Sequence, residues 1–544
     1  MARKLIVILF ATILLVLTSC VPFWFSSSPE QSSNIMYLIF VRSFYDSNGD
    51  GIGDLRGVGE KASYLKELGI DIVWLMPINE AVSYHGYDPI NLYSIESDYG
   101  SFDDFFYMVS MLHKNGIRVV LDLVINHTSN KNPYFLDAIE NTTNSKYWDW
   151  FIMSLDDHSG QNHWHYMINS KGQMVWYFGL FSETMPDYNY DNPSVREEIR
   201  RVIDFWLERG VDGFRFDALK NIYGYDYDDG IFESATFAKE LAQYVYSKKP
   251  NAIIVGEVYS GDQNVLKSFY PMPVFNFTFM YNVRSNPEGA DWLVSNSYLW
   301  YDSENFLFID NHDLSDRFIS NLEENLYKNS GSPRFYAKAQ FALLNTLMVS
   351  MKGIPVIYYG NEIGQKGFKW NTDPYDVPMR EPFQWYASKR DSGQTYWTKL
   401  LYSNAKITFG NANQDGAMYD DPDDGISVEE QEKISNSLLN YFKTIFNIRK
   451  RYKSLSIGEM SIKSDQKNLV VIERSYYNQK ALVLINLDPF KENYYVIPTG
   501  YKQVFYADLN SPANGFIFST EEKIIKQSIT YTVKPRQVYI FVYE

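Results

Sequence analysis

Acidic side chains directly follow apolar stretches at several places in this 544-residue chain. Asp217 and Glu257 each end such a stretch, and Asp313 closes the segment Asp310-Asn-His-Asp after another. Carboxyl groups that converge can act as general acid, general base and nucleophile, because their surroundings can set their pKa values apart. These three residues are therefore candidates for an acid–base site, provided that the fold brings them together.

The elements around these residues predict a fold that does so. Short apolar runs alternate with segments of helical spacing, and the runs suit a parallel sheet that helices cover on both faces. Eight strand-then-helix units favour a closed α/β fold, the (β/α)₈ TIM barrel, whose active-site residues stand at the carboxyl ends of the strands. The predicted strands are residues 35–41, 70–76, 117–124, 211–216, 252–258, 274–279, 306–309 and 354–359.

Two further domains accompany the predicted barrel of residues 35–126 and 186–453, whose helices include 55–68 and about 429–451. Residues 127–185 are irregular and rich in aromatic residues, and they are too long for a simple loop. They predict an inserted subdomain after the third strand. From residue 454 to 544, short alternating strands predict a C-terminal antiparallel β-sandwich domain.

The amino terminus has the pattern of an export signal. Arg3 and Lys4 precede a 13-residue apolar run, Leu5 to Leu17, which is too short for a comfortable membrane span. The run leads to Cys20, the single cysteine, in a Leu-Thr-Ser-Cys sequence that resembles a bacterial lipoprotein signal. Residues 1–19 would then be removed, and residues 20–34 would tether the protein to the periplasmic or outer cell surface through a lipid on Cys20. The alternative is a plain secretory signal with an incidental cysteine.

Composition narrows the possible partners. The formal net charge is −16, which argues against nucleic acid, because binding a phosphate backbone needs a basic surface. An acidic surface suits a neutral substrate and bound cations. Aromatic residues make up 17% of the chain, and they either fill the core or stack on apolar faces such as sugar rings. The same two interpretations stay open for Trp148, Trp150, Trp164 and Trp176 of the insertion.

The strand-end segments resemble the four signature regions of the α-amylase family of glycoside hydrolases, in the same order. They are Asp122-Leu-Val-Ile-Asn-His127, Gly213-Phe-Arg-Phe-Asp-Ala-Leu-Lys220, Gly256-Glu-Val258 and Asp310-Asn-His-Asp313. Further matches are Gly86-Tyr-Asp88, Met185-Pro-Asp-Tyr-Asn189, Gly353-Ile-Pro-Val-Ile-Tyr-Tyr-Gly-Asn-Glu362 and Arg380-Glu-Pro-Phe-Gln-Trp385. The resemblance extends from about residue 36 to the end of the chain. The Met-Pro-Asp start resembles an intermediate subgroup of bacterial amylases, some of which are lipoproteins.

The resemblance implies a role for each matching residue. Asp217 matches the family nucleophile, Glu257 the acid/base, and Asp313 a third carboxylate that grips sugar hydroxyls and stabilises an oxocarbenium-like transition state. Retaining hydrolysis of a glycosidic bond needs the first two carboxyl groups roughly 5–5.5 Å apart. Arg215 is expected to favour ionised Asp217, and the site of Glu257 is expected to favour its protonated form. The implied substrate-binding residues are Tyr87, His127, Arg215, Lys220 and His312.

The loop after the first strand presents oxygen ligands at alternate positions around a glycine-rich turn. The helix-loop-helix calcium motif is excluded, because Gly57 stands where that motif requires glutamate. An Asx-turn without metal is one alternative. A second family calcium site, which uses the residue matching Asn126, is in doubt because Asn221 replaces a frequent histidine. The loop itself resembles the calcium loop of many family members, which implies these ligands: Asp46, Asn48, Asp50, the Ile52 carbonyl and Asp54.

Together these features imply a secreted, calcium-assisted enzyme that cleaves α-1,4 bonds within starch, glycogen and maltodextrins with retention. Ala218 and Lys220 resemble α-1,4-specific amylases more than α-1,6-glucosidases. An α-glucosidase or a 4-α-glucanotransferase on the same scaffold is the nearest alternative, and a surface glycan-binding protein without catalysis is a more distant one. The implied partners are an α-glucan and, through Cys20, a membrane, and the chain is expected to be a monomer.

Overall fold

The structure is a computed structural model that describes residues 34–295, 305–371, 374–387, 393–399, 401, 424–463, 468–513 and 515–544. The predicted signal, Cys20 and all of the tether except Asn34 therefore lie outside the described residues. Within the described ranges, no helix is both long and apolar enough to cross a membrane.

Eight parallel segments form a closed barrel. Seven of them are strands, and the eighth is Val274 and Phe275, which form single parallel bridges to Gly256 and Phe306. The first strand pairs in parallel with both the second and the last, so the sheet closes on itself. The predicted (β/α)₈ TIM barrel is thus confirmed. The strands are β1 Met36–Ile39, β2 Ile72–Leu75, β3 Arg118–Leu123, β4 Gly213–Phe216, β5 Ile253–Gly256, β6 Phe306–Phe308 and β7 Ile354–Tyr358.

The predicted strand at residues 274–279 is wrong beyond its second residue. Phe277–Ser285 is a helix, because the Asn276 side chain caps its first turn by accepting a hydrogen bond from the Phe279 N–H at 2.9 Å. A short apolar run cannot be assigned to strand or buried helix by periodicity alone. The capping asparagine is the signal that separates the two.

Two predicted helices are each divided in the structure. Residues 55–68 form two helices that meet at Lys61, and residues 429–451 form two helices separated by a turn. The second division arises at Ser437, whose side chain accepts a hydrogen bond from the Asn440 N–H and so begins a new helix. The four helices are Leu55–Glu60, Ala62–Leu68, Val428–Glu432 and Leu438–Arg451.

The other long helices pack around the barrel with one apolar face. Helix Pro193–Glu208 is typical, because its buried residues recur every three or four positions, as Val195, Ile199, Val202 and Trp206. Phe102–Lys114 and Ile231–Lys248 have the same spacing of buried residues, whereas Pro333–Ser350 is an exception that is buried at every position from Ala339 to Ser350, and Gln263–Ser268 is a short helix with one buried residue.

The segment between β3 and β4 adds a helix, Pro133–Asn141, and a small antiparallel sheet beside the barrel. Backbone contacts hold its end against the carboxyl end of β3: His127 bridges Asp187, and the Tyr188 N–H donates to the Asn126 carbonyl at 3.0 Å. The insertion is thereby fixed next to the predicted site. The strands of its sheet, in spatial order, are Met153–Ser154, Met174–Phe178 and Trp164–Ile168.

The C-terminal segment forms two antiparallel sheets that share an apolar core, so the predicted C-terminal β domain is confirmed. The core joins Val471, Leu484 and Phe541 of the larger sheet to Ile497 and Val533 of the smaller one. The smaller sheet pairs Asn493–Ile497 with Ile529–Val533. The larger one contains, in spatial order, Glu459–Lys463, Leu469–Tyr476, Gln479–Asn486, Gln537–Tyr543, Lys502–Asp508 and Ile517–Ser519, with Lys523–Ile524 also paired to Lys502–Asp508.

A buried arginine ties the last barrel helix to the turn before β7. Arg449 is 1% exposed, and its guanidinium donates to the carbonyls of Met351 at 2.9 Å and Gly353 at 2.6 Å. We expect Arg449→Met to lower the free energy of unfolding by about 2–4 kcal/mol, because buried carbonyls lose their partner. Thermal unfolding measures this as a lower Tm, with the exposed Arg451→Met as control. Equal Tm values for the two variants would contradict the expectation.

Candidate active site

The predicted acidic residues meet at the carboxyl ends of the barrel strands, around a cleft of about 790 Å³. Asp217 follows β4 directly, Glu257 follows β5, and Asp313 stands in the loop after β6. Arg215 and His312 of the prediction are buried below the cleft surface. The predicted residues that line the cleft are Tyr87, His127, Asp217, Lys220, Glu257 and Asp313.

Arg215 holds three carboxyl groups with one guanidinium. Its Nη1 lies 2.5 Å from Asp217 Oδ1 and 2.7 Å from Asp122 Oδ1, and its Nη2 lies 2.9 Å from Glu257 Oε2. Charge-assisted hydrogen bonds to a planar guanidinium fix the orientation of each carboxyl group. Asp217 and Glu257 are therefore held side by side at the floor of the cleft.

Burial sets the protonation of this pair. It raises the pKa of Glu257 to about 7; Arg215 opposes the shift, and the charges of Asp217 and Asp313 add to it. Glu257 therefore holds a proton below pH 7, as a general acid must. Burial also raises the pKa of Asp217, and the attraction of Arg215 only partly offsets it. Arg215 thus favours ionised Asp217, as expected, but burial has the larger effect, so the pKa of Asp217 is raised overall.

The pKa of Asp313 is lowered, unlike the pKa values of Glu257 and Asp217, because the Arg380 guanidinium and the His312 imidazole face its carboxylate. His312 Nε2 lies 3.0 Å from Asp313 Oδ2, and Arg380 Nη2 lies 3.1 Å from Oδ1. Burial favours the protonated acid, but His312, Arg380 and Arg215 together hold the pKa of Asp313 well below its usual range. The Asp313 side chain is 43% exposed, so an ionised carboxylate faces whatever enters the cleft.

Tyr87 and His127 line one side of the cleft, and the buried His312 contacts Tyr87 from below. The Tyr87 ring is stacked on His312 with centroids 5.4 Å apart, and the Tyr87 hydroxyl oxygen lies 2.6 Å from His312 Nε2. His127 Nε2 lies 2.8 Å from the Tyr87 carbonyl oxygen, and burial lowers the pKa of His127 to about 4. His127 is therefore neutral at pH 7. Tyr87 is fixed from both its ring and its backbone, which suits a stacking platform.

The turn after β4 connects the pair to Lys220. Ala218 has a left-handed backbone with φ of 46°, and its N–H donates to Glu257 Oε2 at 3.1 Å. Lys220 Nζ lies 2.6 Å from Asp228 Oδ1, and the Asp228 side chain is exposed. The Asp228 end of this ion pair is in solvent, which weakens the pair, so a ligand hydroxyl can compete with Asp228 for Lys220.

The sequence matches the model of the α-amylase catalytic domain over residues 38–458. The chain belongs to the α-amylase family of glycoside hydrolases. An α-amylase 3 of Dictyoglomus thermophilum is 34% identical over 475 residues, which cover 86% of this chain and 87% of that protein. A 4-α-glucanotransferase of Thermotoga maritima is 31% identical over 456 residues, which cover 82% of this chain and 94% of that protein. Among solved structures, an α-amylase from H. orenii has a TM-score of 0.76 at 30% identity and covers 94% of this chain and 99% of its own.

Membership in the α-amylase family makes this protein a glycoside hydrolase that acts on a glucan. The relatives differ in the reaction that their names give, since one is an amylase and another a glucanotransferase. Which reaction this chain performs therefore has to be argued from its own residues.

The cleft of this α-amylase-family chain contains further residues that the sequence analysis did not assign. Arg380 contacts Asp313 across 67 positions of sequence, and Asp376 lies 3.1 Å from Arg380 Nη2. Arg380 begins a recognised motif, but spacing alone does not show which carboxylate it meets. His85 also lines the cleft, and burial lowers its pKa to about 3. The aromatic residues of the lining, besides Tyr87, are Phe181, Tyr227 and Tyr259.

The predicted calcium loop of this α-amylase-family chain lies between β1 and helix Leu55–Glu60. Asp46 accepts hydrogen bonds from the N–H groups of Gly49 at 2.6 Å and Gly51 at 2.7 Å, and both glycines have left-handed φ angles. Asp54 caps the following helix through the Gly57 N–H. The predicted ligands are all oxygen atoms, which fits Ca²⁺. In the described ranges no three acidic, His or Cys side chains converge on a metal position, so calcium stays a prediction.

Asn126 joins the barrel to the turn after β4 by a direct hydrogen bond. Its Nδ2 donates to the Asn221 carbonyl at 2.5 Å, and its Oδ1 lies 3.0 Å from His127 Nδ1. Asp187, on the insertion, is 4% exposed, and burial raises its pKa well above the usual range. A direct hydrogen bond thus connects Asn126 to Asn221, the two positions considered for a second calcium site, and we propose no second metal here.

Proposed function

We propose that this protein hydrolyses α-1,4-glucosidic bonds within starch, glycogen and maltodextrins and retains the anomeric configuration. The observation that supports this most is Arg215, which holds Asp217 and Glu257 on one guanidinium at the floor of the cleft. A retaining mechanism needs its two carboxyl groups roughly 5–5.5 Å apart, whereas an inverting one needs room for a water molecule between them.

The reaction proceeds in two displacements. Glu257 gives its proton to the glycosidic oxygen while ionised Asp217 attacks the anomeric carbon, so the bond to the leaving chain breaks and a glycosyl ester forms on Asp217. Glu257, now a carboxylate, then takes a proton from water, whose oxygen attacks the same carbon and releases Asp217. Two inversions give retention, and both carboxyl groups return to their starting state.

The surrounding residues stabilise the positive charge that develops on the sugar ring. Ionised Asp313 supplies the opposite charge at the cleft surface, and Arg380 and His312 hold its carboxylate in place. Tyr87 offers an apolar face for the ring to stack on. His127 and Lys220 stand at the cleft surface, where they can bind sugar hydroxyls.

Exposed aromatic side chains extend the cleft beyond the catalytic pair, as attack within a polymer requires. Phe181 is 40% exposed, Tyr227 46% and Tyr259 58%. These rings also suit an acceptor sugar, and the glycosyl ester can react with a sugar hydroxyl in place of water. Because a 4-α-glucanotransferase is 31% identical to this chain, transfer is the strongest second candidate.

Product analysis distinguishes these reactions. Purified protein is incubated with soluble starch and, separately, with maltotriose. A mixture of maltooligosaccharides from starch supports the proposal. Glucose as the sole product would indicate an α-glucosidase, and longer oligomers from maltotriose would indicate a glucanotransferase. If starch binds but is not cleaved, the protein is a glycan-binding surface protein and not an enzyme.

The pH dependence of kcat/KM on starch follows from the two protonation states. Glu257 must hold a proton, so activity is expected to fall as pH rises through about 7, by about tenfold for each further pH unit. Asp217 must be ionised, and because its pKa is raised, the acid limb should lie above the usual aspartate range. Initial rates across buffered pH values measure both limbs. Constant activity from pH 6 to 9 would contradict the assignment of Glu257.

We further propose that Asp46, Asn48, Asp50, the Ile52 carbonyl and Asp54 hold one calcium ion that crosslinks their loop. An ion bound only to the folded protein stabilises it, by about 2.7 kcal/mol at a concentration of 100 Kd. EDTA should therefore lower the Tm, and added calcium should restore it. The control is Asp50→Ala, which is expected to have a lower Tm that no longer responds to EDTA. An unchanged Tm in EDTA would argue for the Asx-turn without metal.

We also propose that the protein is exported and anchored through a lipid on Cys20. The support is the sequence alone, namely the basic start, the apolar run and the position of the single cysteine. Mass spectrometry of the amino-terminal peptide after expression in a bacterial host tests this. An acylated Cys20 as the first residue is expected, and an unmodified cysteine would favour the plain secretory signal.

A further inference from the structure

A second cavity, of about 310 Å³, lies between the insertion and helix Pro193–Glu208. We call it the insertion cavity. Among the described residues, it shares no lining residue with the catalytic cleft. Its walls come from residues 90–93, from the first turn of helix Pro133–Asn141, and from Trp150 and Tyr188. This volume is near the lower end for ligand pockets, which suits a ligand of one or two rings.

Aromatic rings form the walls of the insertion cavity, and neighbouring rings fix them. Tyr134 stacks on Tyr147 with centroids 4.5 Å apart and meets the edge of Trp150 at 5.3 Å. Tyr188 is 7% exposed and stacks on Phe151 at 5.2 Å. Rings that are already held in place lose little entropy when a ligand binds. The cavity is therefore built to present flat apolar faces.

The polar groups of the cavity favour a neutral, hydroxyl-rich ligand. Glu198 accepts a hydrogen bond from the Tyr93 hydroxyl at 2.9 Å and forms an ion pair with Arg201 at 2.5 Å. A cationic ligand would find Glu198 already paired, and an anion would meet the carboxylates of Glu198 and Glu80. Sugar hydroxyls can donate to carboxylate oxygens while the C–H face of the sugar stacks on a ring. This combination fits a glucose unit.

We propose that the insertion cavity binds the end of an α-glucan chain or a short maltooligosaccharide, as a second site apart from the cleft. The choice of an α-glucan rests on the proposed function. One segment connects the two sites, because Tyr87 lines the cleft and Ile90 lines the cavity. The Asn132 Nδ2 donates to the Ile90 carbonyl at 2.9 Å and holds this segment to the insertion. A chain end bound here keeps further glucan close to the cleft and raises its effective concentration.

Titration calorimetry with maltotriose tests the proposal on the full chain carrying Asp217→Asn, which cannot turn the sugar over. Two molecules of maltotriose are expected to bind per chain. Adding Trp150→Ala should reduce this to one. The matched control is Trp148→Ala, which removes a tryptophan two positions away that does not line the cavity. The control should still bind two molecules of maltotriose per chain.

One binding event in the Asp217→Asn chain, or two that persist after Trp150→Ala, would overturn the proposal. If Trp150→Ala does not fold, Tyr134→Ala, which removes another ring from the cavity lining, is used in its place. In the chain with native Asp217, Trp150→Ala should hydrolyse maltotriose within about twofold of the unmodified protein, because Trp150 does not line the catalytic cleft. If no binding event depends on Trp150, the second site is overturned, whereas failure of the unmodified protein to hydrolyse any glucan overturns the proposed function.

Discussion

Asp217→Asn is expected to lower kcat on soluble starch by about 10⁴-fold or more, because an amide cannot form the glycosyl ester. The substitution keeps the shape of the side chain and an oxygen that can accept the hydrogen bond from Arg215 Nη1, which lies 2.5 Å from Asp217 Oδ1. The fold and the binding of substrate should therefore survive. Release of reducing ends measures the rate, and Tm measures the fold.

The matched control for Asp217→Asn is Asp228→Asn, which changes an exposed acid in the same cleft. Asp228 contacts Lys220 at 2.6 Å but not Arg215. Its replacement should alter kcat by no more than about threefold, because exposed ion pairs contribute little. If both variants lose activity equally, the loss reflects the general charge of the cleft, and Asp217 is not the nucleophile.

Glu257→Gln should lower kcat/KM on starch by about 10²- to 10⁴-fold, which is the usual contribution of a general acid. The loss should depend on the leaving group. A glucan chain leaves poorly without a proton, whereas an activated aryl group, such as 4-nitrophenyl, leaves without one. The first displacement on a 4-nitrophenyl maltooligosaccharide should therefore be nearly unchanged, which a burst of nitrophenol measures.

The pH profile gives an independent test of Glu257. The proposed mechanism assigns the expected alkaline limb near pH 7 to the proton on Glu257, whose pKa burial raises to about 7. That limb should disappear when the first displacement of Glu257→Gln is followed on the aryl substrate. If the limb persists, another group carries the proton, and Glu257 has only a positioning role.

Much of this fold and site could be predicted from the sequence, because both depend on local pattern. Buried strands of a parallel sheet are apolar throughout, and each is followed by the polar residue that it presents at the rim. Asp217 and Glu257 follow β4 and β5 directly, so predicting the strands also placed the acids. The carboxyl ends of parallel strands meet at one end of a barrel, which brings residues from distant parts of the chain together.

Features that depend on long-range contact could not be predicted in this way. Arg380 meets Asp313 only because the chain after β7 returns over the cleft. The pKa of Asp217 is raised because burial has a larger effect than the positive charge of Arg215, and only Arg215 is evident from the sequence. The insertion cavity combines Trp150 with residues before β3 and after the insertion, and no single stretch of sequence shows that combination.

Retention of configuration at the cleaved bond is the central claim, since it depends on the side-by-side placement of Asp217 and Glu257 by Arg215. The most direct measurement is a proton NMR time course of maltooligosaccharide hydrolysis, begun before the new reducing ends mutarotate. The mechanism predicts that the α-anomer appears first and the β-anomer only later, as mutarotation proceeds. Initial appearance of the β-anomer would show inversion, and it would contradict the assignment of Asp217 as nucleophile.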